Sequence, residues 1–192
     1  MIINQNTTLQ DFIFQTDIFK IPENEIKNLF EKIEKLPIPE YISKIKVPES
    51  LDNLTFAELI ELQELKTFEK MLFGAPEIIM HLKKEKLLKA KAFDVIRFFF
   101  FIKSEIERIA KLFEQIRYKP SEMEASAGIN QIDNGIFGII DWYARRMGII
   151  DHDFAAKATQ WTVVYACMKI DNTNAMFERK LRDSITKKSR KK

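Results

Sequence analysis

The feature that most constrains this chain is a hydrophobic seam. Leu88, Ala92, Val95, Phe99, Ile102, Ile106, Ile109, Phe113 and Ile116 follow one another at alternating intervals of four and three residues. An α-helix turns about every 3.6 residues, so this alternation lays the apolar side chains along one stripe over several heptads. A strand would need apolar residues at every second position instead. The pattern predicts one long helix over about 87–118. In a chain with several other amphipathic segments, that helix is expected at the centre of a bundle rather than in an isolated coiled coil.

Shorter signals extend the helical reading on both sides. After Pro22, the residues Ile26, Leu29, Phe30, Ile33 and Leu36 keep helical spacing until Pro37-Ile38-Pro39 stops them. Residues 1–20 carry mixed spacing, and helix, strand and extended arm all stay open. Pro37, Pro39 and Pro48 make the segment up to Asn53 read as an extended connector. Thr55-Phe56-Ala57-Glu58 has the form of a capping box, a bend is expected near Thr67, and Gly74 is expected to end a short helix with Pro76 opening the next. Ser121-Glu122-Met123-Glu124 is a second capping box. In the stretch that follows, Gly135 and Gly148 read as helix ends, and Gly128 and Gly138 as places of close helix approach. Thr159 is expected to cap a last helix, with Asp171-Asn172-Thr173-Asn174 interrupting it. The expected fold class is all-α in the main: a multi-helix bundle around the long helix. It divides as an N-terminal arm and connector at 1–50, a helical body at 51–186 and a disordered basic tail at 187–192.

Composition matters at two points. The chain has 16 Phe in 192 residues, and Phe98, Phe99, Phe100 and Phe101 make one helical turn apolar around nearly its whole circumference. Such a turn must be enclosed by the chain's own helices or covered by a partner. The formal charge of +3 is concentrated at the C-terminus, where Lys187, Lys188, Arg190, Lys191 and Lys192 supply five cations; without those five the body stands near −2. These residues are the candidates for nucleic-acid contact, together with the lysines of LKKEKLLKAK, but a near-neutral body argues against a dedicated nucleic-acid-binding domain. One cysteine, Cys167, allows no internal disulfide and suits a reducing cytoplasm. No uncharged run nears the ~20 residues of a membrane span, so no membrane association is expected.

The densest cluster of polar side chains is Asp141-Trp142-Tyr143-Ala144-Arg145-Arg146-Met147-Gly148-Ile149-Ile150-Asp151-His152-Asp153-Phe154. It resembles a metal or catalytic site in composition but not in spacing. Ligands on a helix stand three or four residues apart, whereas His152 is flanked directly by its acids and Asp141 lies beyond a glycine stop. The spacing suits a corner, with Asp151 capping the next helix. Neither GxSxG, GxxxxGK nor GxGxxG occurs, and Cys167 has no local activating cation. No metal, cofactor or enzymatic activity is expected.

Two stretches carry a family resemblance. FAELIELQELKTFEKMLFGAPE, followed after the long helix by YKPSEMEASAGINQI and GIFGIIDWYARRMGIIDHDFA, resembles the tail assembly chaperones of long-tailed bacteriophages and prophages over roughly residues 55–182. The resemblance implies a non-enzymatic protein of the bacterial host cytoplasm. Such a protein binds the apolar helices of a tape-measure or other tail protein and assists tail assembly. A binder of that kind needs apolar, adaptable side chains. Phe98, Phe100, Phe101, Met71, Met80, Met123, Met147 and Met176 are the candidates, with Trp142 and Arg145 beside them, and self-association stays open. The alternatives are a structural protein retained in the virion and a basic helical protein touching nucleic acid.

Overall fold

The computed structural model describes residues 6–20, 23–116, 118, 120–129 and 134–189, and among these the fold is all-α apart from one small hairpin. Its elements run α1 (Leu9–Lys20), α2 (Glu23–Glu34), β1 (Tyr41–Ile42), β2 (Ile45–Lys46), α3 (Phe56–Glu64), α4 (Phe68–Met80), α5 (Lys84–Leu88), α6 (Ala92–Gln115), α7 (Glu122–Ser126), α8 (Gly135–Met147), α9 (His152–Ala158) and α10 (Trp161–Ser189). Contacts divide the chain into two compact units, one of residues 1–54 with 58–108, the other of 55–57 with 109–192. The chain passes from one unit to the other around residues 55–57 and inside α6.

In the first unit the described residues of the N-terminal segment contribute side chains to the core. Leu9, Phe12, Ile33, Ile42, Val47 and Leu51 are all buried. The proline-rich connector folds back as β1 and β2, which pair antiparallel with Ile42 facing Ile45. Ser43 and Lys44 between them both take positive φ, the requirement of a two-residue hairpin loop whose twist matches its strands. The Ser43 hydroxyl also donates to the Lys86 carbonyl at 3.1 Å. Further along, the Leu51 N–H donates to Glu105, and Arg108 bonds both Glu105 and Asp52, so the end of this segment is held on α6 by a charged network.

The long helix starts at Ala92, later than the seam predicts. Ahead of it, the Leu9 N–H donates to the Ala90 carbonyl at 2.8 Å and the Ala92 N–H to the Thr7 carbonyl at 2.9 Å. The N-terminal segment thus takes up backbone groups that a continuous helix would need for its own ladder, and α5 stays separate. Within α6 the seam residues Ala92, Val95, Ile102 and Ile109 are buried.

In α4 the expected break at Gly74 and Pro76 does not occur. Gly74 sits mid-helix, where an added Cβ would meet the Leu65 side chain at 3.1 Å, so its smallness serves packing. Pro76 is buried inside the helix, which ends instead at His81 with φ +52, its N–H donating to the Glu77 carbonyl. Thr67 caps α4 by accepting from the Lys70 N–H, at the place where the bend was expected.

In the second unit, Thr55 bridges antiparallel to Gln160, and the Phe56 N–H donates to the Thr159 carbonyl. The Ser121 capping box forms in full and Gly148 ends α8 in the left-handed conformation. Gly135 opens α8 rather than closing a helix, and Gly128 lies in a positive-φ turn after α7. Gly138 is small because a Cβ there would meet the Asn134 side chain at 2.4 Å, within its own helical turn. The interruption expected at Asp171–Asn174 is absent. The Thr173 hydroxyl bonds back to the Lys169 carbonyl within the helix and Asp171 pairs with Arg146 of α8, so neither side chain competes for the helix's own backbone N–H groups. α10 runs on through Lys187 and Lys188 to Ser189, which makes those two lysines helical, while Arg190, Lys191 and Lys192 lie outside the described residues.

Candidate functional site

Three helices of the second unit each turn one face toward a common groove. The end of α6 contributes Ala110, Phe113 and Glu114, α8 contributes Gly135, Gly138, Ile139 and Trp142, and α10 contributes Met168, Asp171, Asn172 and Ala175. On each helix those positions are three or four apart, the spacing of a single face. Ile116, Tyr118 and Asn134 complete the wall around a volume of about 900 Å³. The lining is mainly apolar with a few polar groups at its margins, the usual make-up of a binding cleft.

The groove rests on aromatic packing. Phe113 lies 6.0 Å from Trp161 and meets Tyr165 edge-on at 5.5 Å, and Trp161 is buried. Its margins are pinned by charge. Arg146 of α8 donates to Asp171 of α10 at 3.0 Å and to the Cys167 sulfur at 3.2 Å, and the Asp171 bond raises the arginine's pKa further. At the other margin the Ser121 backbone N–H, the Tyr118 hydroxyl and the Ser121 hydroxyl all donate to Glu124, which Arg179 approaches at 3.6 Å. With its backbone bond from Ser121 as the leading cause, the Glu124 pKa falls to about 2.

The residues singled out from the sequence are not brought together. Phe98 and Phe101 are buried in the first unit, stacked on each other at 6.0 Å, and so cannot present rings to a partner. On the other side of the same turn, Phe99 and Phe100 are half-buried against Phe68 and Phe30, with centroid distances of 4.8 Å for Phe99–Phe68 and 5.9 Å for Phe100–Phe30. The chain's own rings therefore enclose the four-phenylalanine turn, which corrects the expected partner face. Met80 is buried and Met71 half-buried, while Met123, Met147 and Met176 are exposed. Trp142 does line the groove, and Arg145 points away to solvent, 78% exposed and bonded to Asp141 at 3.0 Å.

The polar cluster of residues 141–154 is a corner. Asp141 receives Arg145 and stands 3.4 Å from His152, Asp151 caps α9 by accepting from the Phe154 N–H, and Asp153 pairs with Lys157 at 2.7 Å. Among the described residues no group of three or more His, Cys, Asp or Glu side chains is placed to hold a metal ion, and no helix is long and apolar enough to cross a membrane. No protein-family profile, curated protein or solved structure matches the chain.

Proposed function

We propose that this protein is a non-enzymatic helix-binding adaptor whose working surface is the groove between α6, α8 and α10. The groove itself is the observation that supports this reading. Phe113, Ile116, Ile139, Trp142, Met168 and Ala175 form an apolar trough in which one face of an amphipathic helix can bury its anchor residues, with Glu114, Asn134 and Asn172 at its margins. Met168 supplies a side chain that adapts to anchors of different shape. Combined with the resemblance over residues 55–182, the reading becomes a phage tail assembly chaperone. In the host cytoplasm it would hold an apolar helical tape-measure protein until tail subunits enclose it.

The test uses Ala175→Glu. Ala175 is exposed and lines the groove, so the substitution places a charge in the trough without emptying any core position. Co-expressed wild-type protein is expected to keep the tape-measure protein soluble and to co-purify with it. The variant, folded as judged by circular dichroism, is expected to do neither. Equal rescue by the variant would remove the groove from the mechanism, and stoichiometric recovery of the protein from mature virions would favour a structural role instead.

A further inference from the structure

The near-neutral charge of the body conceals a strongly polarised surface in the first unit. Lys83, Lys84, Lys86 and Lys89 lie on α5 and at its two ends, and all four are exposed. The β1–β2 hairpin adds Lys44 in its loop and Lys46 on β2, both exposed. About forty residues of chain separate the two segments, and the fold joins them. The Ser43 hydroxyl donates to the Lys86 carbonyl at 3.1 Å, which seats the hairpin loop on α5. Residues 41–46 and 82–90 together carry six lysines and one acid, Glu85. The unit as a whole has eighteen acids and sixteen cations, so outside these two segments acids outnumber cations by seventeen to ten. At the edges of the patch Glu40 precedes β1, and Lys91 stands near Asp94.

Among the described residues none of the six lysines forms an ion pair. Other exposed helices of the chain set a cation against an acid one turn away, as in Asp141–Arg145, Asp153–Lys157 and Glu178–Arg182. Glu85 and Lys89 have that spacing and do not pair. Lys84 rests over the Phe73 ring of α4 at 4.6 Å, a contact that leaves its charge in place. Crowded like charges repel one another, and that cost is relieved when an anion neutralises them. An aromatic ring stands beside the cations: Tyr41 is 51% exposed and directly opposite Lys46 in the hairpin register, so the two side chains share one face.

We propose that this surface binds single-stranded nucleic acid, with backbone phosphates on the lysines of α5 and the hairpin and an unpaired base stacked on Tyr41. A cationic track combined with an aromatic platform is how proteins hold single strands without reading their sequence. Three features select this polyanion over others. Every cation of the patch is a lysine, a point charge suited to backbone phosphates, whereas acidic and phosphorylated peptides are held by the forked guanidinium of arginine. An anionic lipid surface takes up helices through an apolar face, but Leu82, Leu87 and Ala90 are buried and α5 is only 5 residues long. A duplex keeps its bases stacked on one another and so offers Tyr41 no free ring face. The site belongs wholly to the first unit and stands independently of the groove between α6, α8 and α10.

The test uses the full-length protein and a fluorescein-labelled oligothymidylate of about 20 nucleotides, followed by anisotropy from about 50 to 200 mM salt. Affinity should fall with salt at a log–log slope of roughly −3 to −4, which is about −0.7 for each phosphate neutralised by four to six lysines. Lys46→Glu with Lys86→Glu and Lys89→Glu, all at exposed positions, should weaken binding at least ~100-fold at the lower salt with an unchanged circular dichroism spectrum. Tyr41→Ala should weaken it roughly 10-fold and leave the salt slope as it is, which separates stacking from charge. A chain lacking residues 187–192 should keep most of the affinity, and a duplex of the same length should bind at least ~10-fold more weakly than the single strand. No binding at the lower salt overturns the proposal. Binding that survives the triple variant, that is lost with residues 187–192, that is equal for the duplex or that is unaffected by Tyr41→Ala does the same. Capture by phosphatidylserine vesicles in place of the oligonucleotide would assign the surface to a membrane and overturn it as well.

Discussion

The enclosure of the four-phenylalanine turn makes a quantitative prediction at Phe98. Its ring is fully buried and stacked on Phe101. Withdrawing a Phe side chain from such a site forfeits roughly 1.5–3 kcal/mol of transfer free energy. It also leaves a cavity that the surrounding helices fill only in part, and measured Phe→Ala changes in cores run to about 3–5 kcal/mol. The ring pair with Phe101 adds ~0.5–1.5 kcal/mol that area alone does not count, which places Phe98→Ala in the upper part of that range. Against the ~5–15 kcal/mol typical of a folded domain, one substitution removes roughly a quarter of the stability or more. Urea unfolding followed by far-ultraviolet circular dichroism measures it. Phe14→Ala, at a position 77% exposed, is the control and should shift stability by less than about 0.5 kcal/mol. A Phe98→Ala protein within about 1 kcal/mol of wild type would mean the ring is not core, and the partner-face reading of this turn would return.

Glu124 predicts a pH dependence. Its pKa is lowered to about 2 by the bonds from Ser121 and Tyr118, so its contribution is complete above the ordinary carboxylate value and is lost as pH falls from there through about 2. Thermal melts should show Glu124→Gln less stable than wild type at pH 7, with the two converging as the pH approaches 2; a gap that does not change with pH would refute the assignment. Gly148 closes α8 at φ +68 with open space where a Cβ would stand, so Gly148→Ala should cost about 1–2 kcal/mol from backbone conformation alone, measurable in the same urea unfolding.

Legibility from sequence followed the range of the forces involved. Ser121, Gly148 and Asp151 act on their own helix ends, through bonds to backbone groups two to four residues away, and their roles could be read from type and position. The break before Ala92 could not be read, because the groups that cause it come from Thr7 and Leu9, more than eighty residues earlier in the chain. Gly74 and Pro76 misled for the same reason: local propensity favours a stop, and packing of Gly74 against Leu65 overrides it. The groove was half visible. The spacings of Gly135, Gly138, Ile139 and Trp142, and of Met168, Asp171, Asn172 and Ala175, each mark a helical face, but nothing in a linear pattern says that three faces converge on one space.

The four-phenylalanine turn shows why α2 is packed against α6. A helical turn apolar on all sides cannot be satisfied by one neighbouring helix, since a single packing partner covers only a stripe. Phe98 and Phe101 take the interior side, and the remaining two rings need cover from elsewhere. Phe30 of α2 supplies it for Phe100, Phe68 of α4 supplies it for Phe99, and Phe30 and Phe68 stack on each other at 5.7 Å, closing a ring of four aromatics. Arg97, one residue ahead of the turn, donates to the Leu36 carbonyl and so ties the chain just past the end of α2 to the same stretch of α6. The four consecutive phenylalanines that suggested a partner surface are thus covered within the first unit. Apolar side chains that stay accessible are spread over other elements, among them Phe14 of α1, Phe137 of α8, Ile150, Phe154 of α9 and Phe177 of α10.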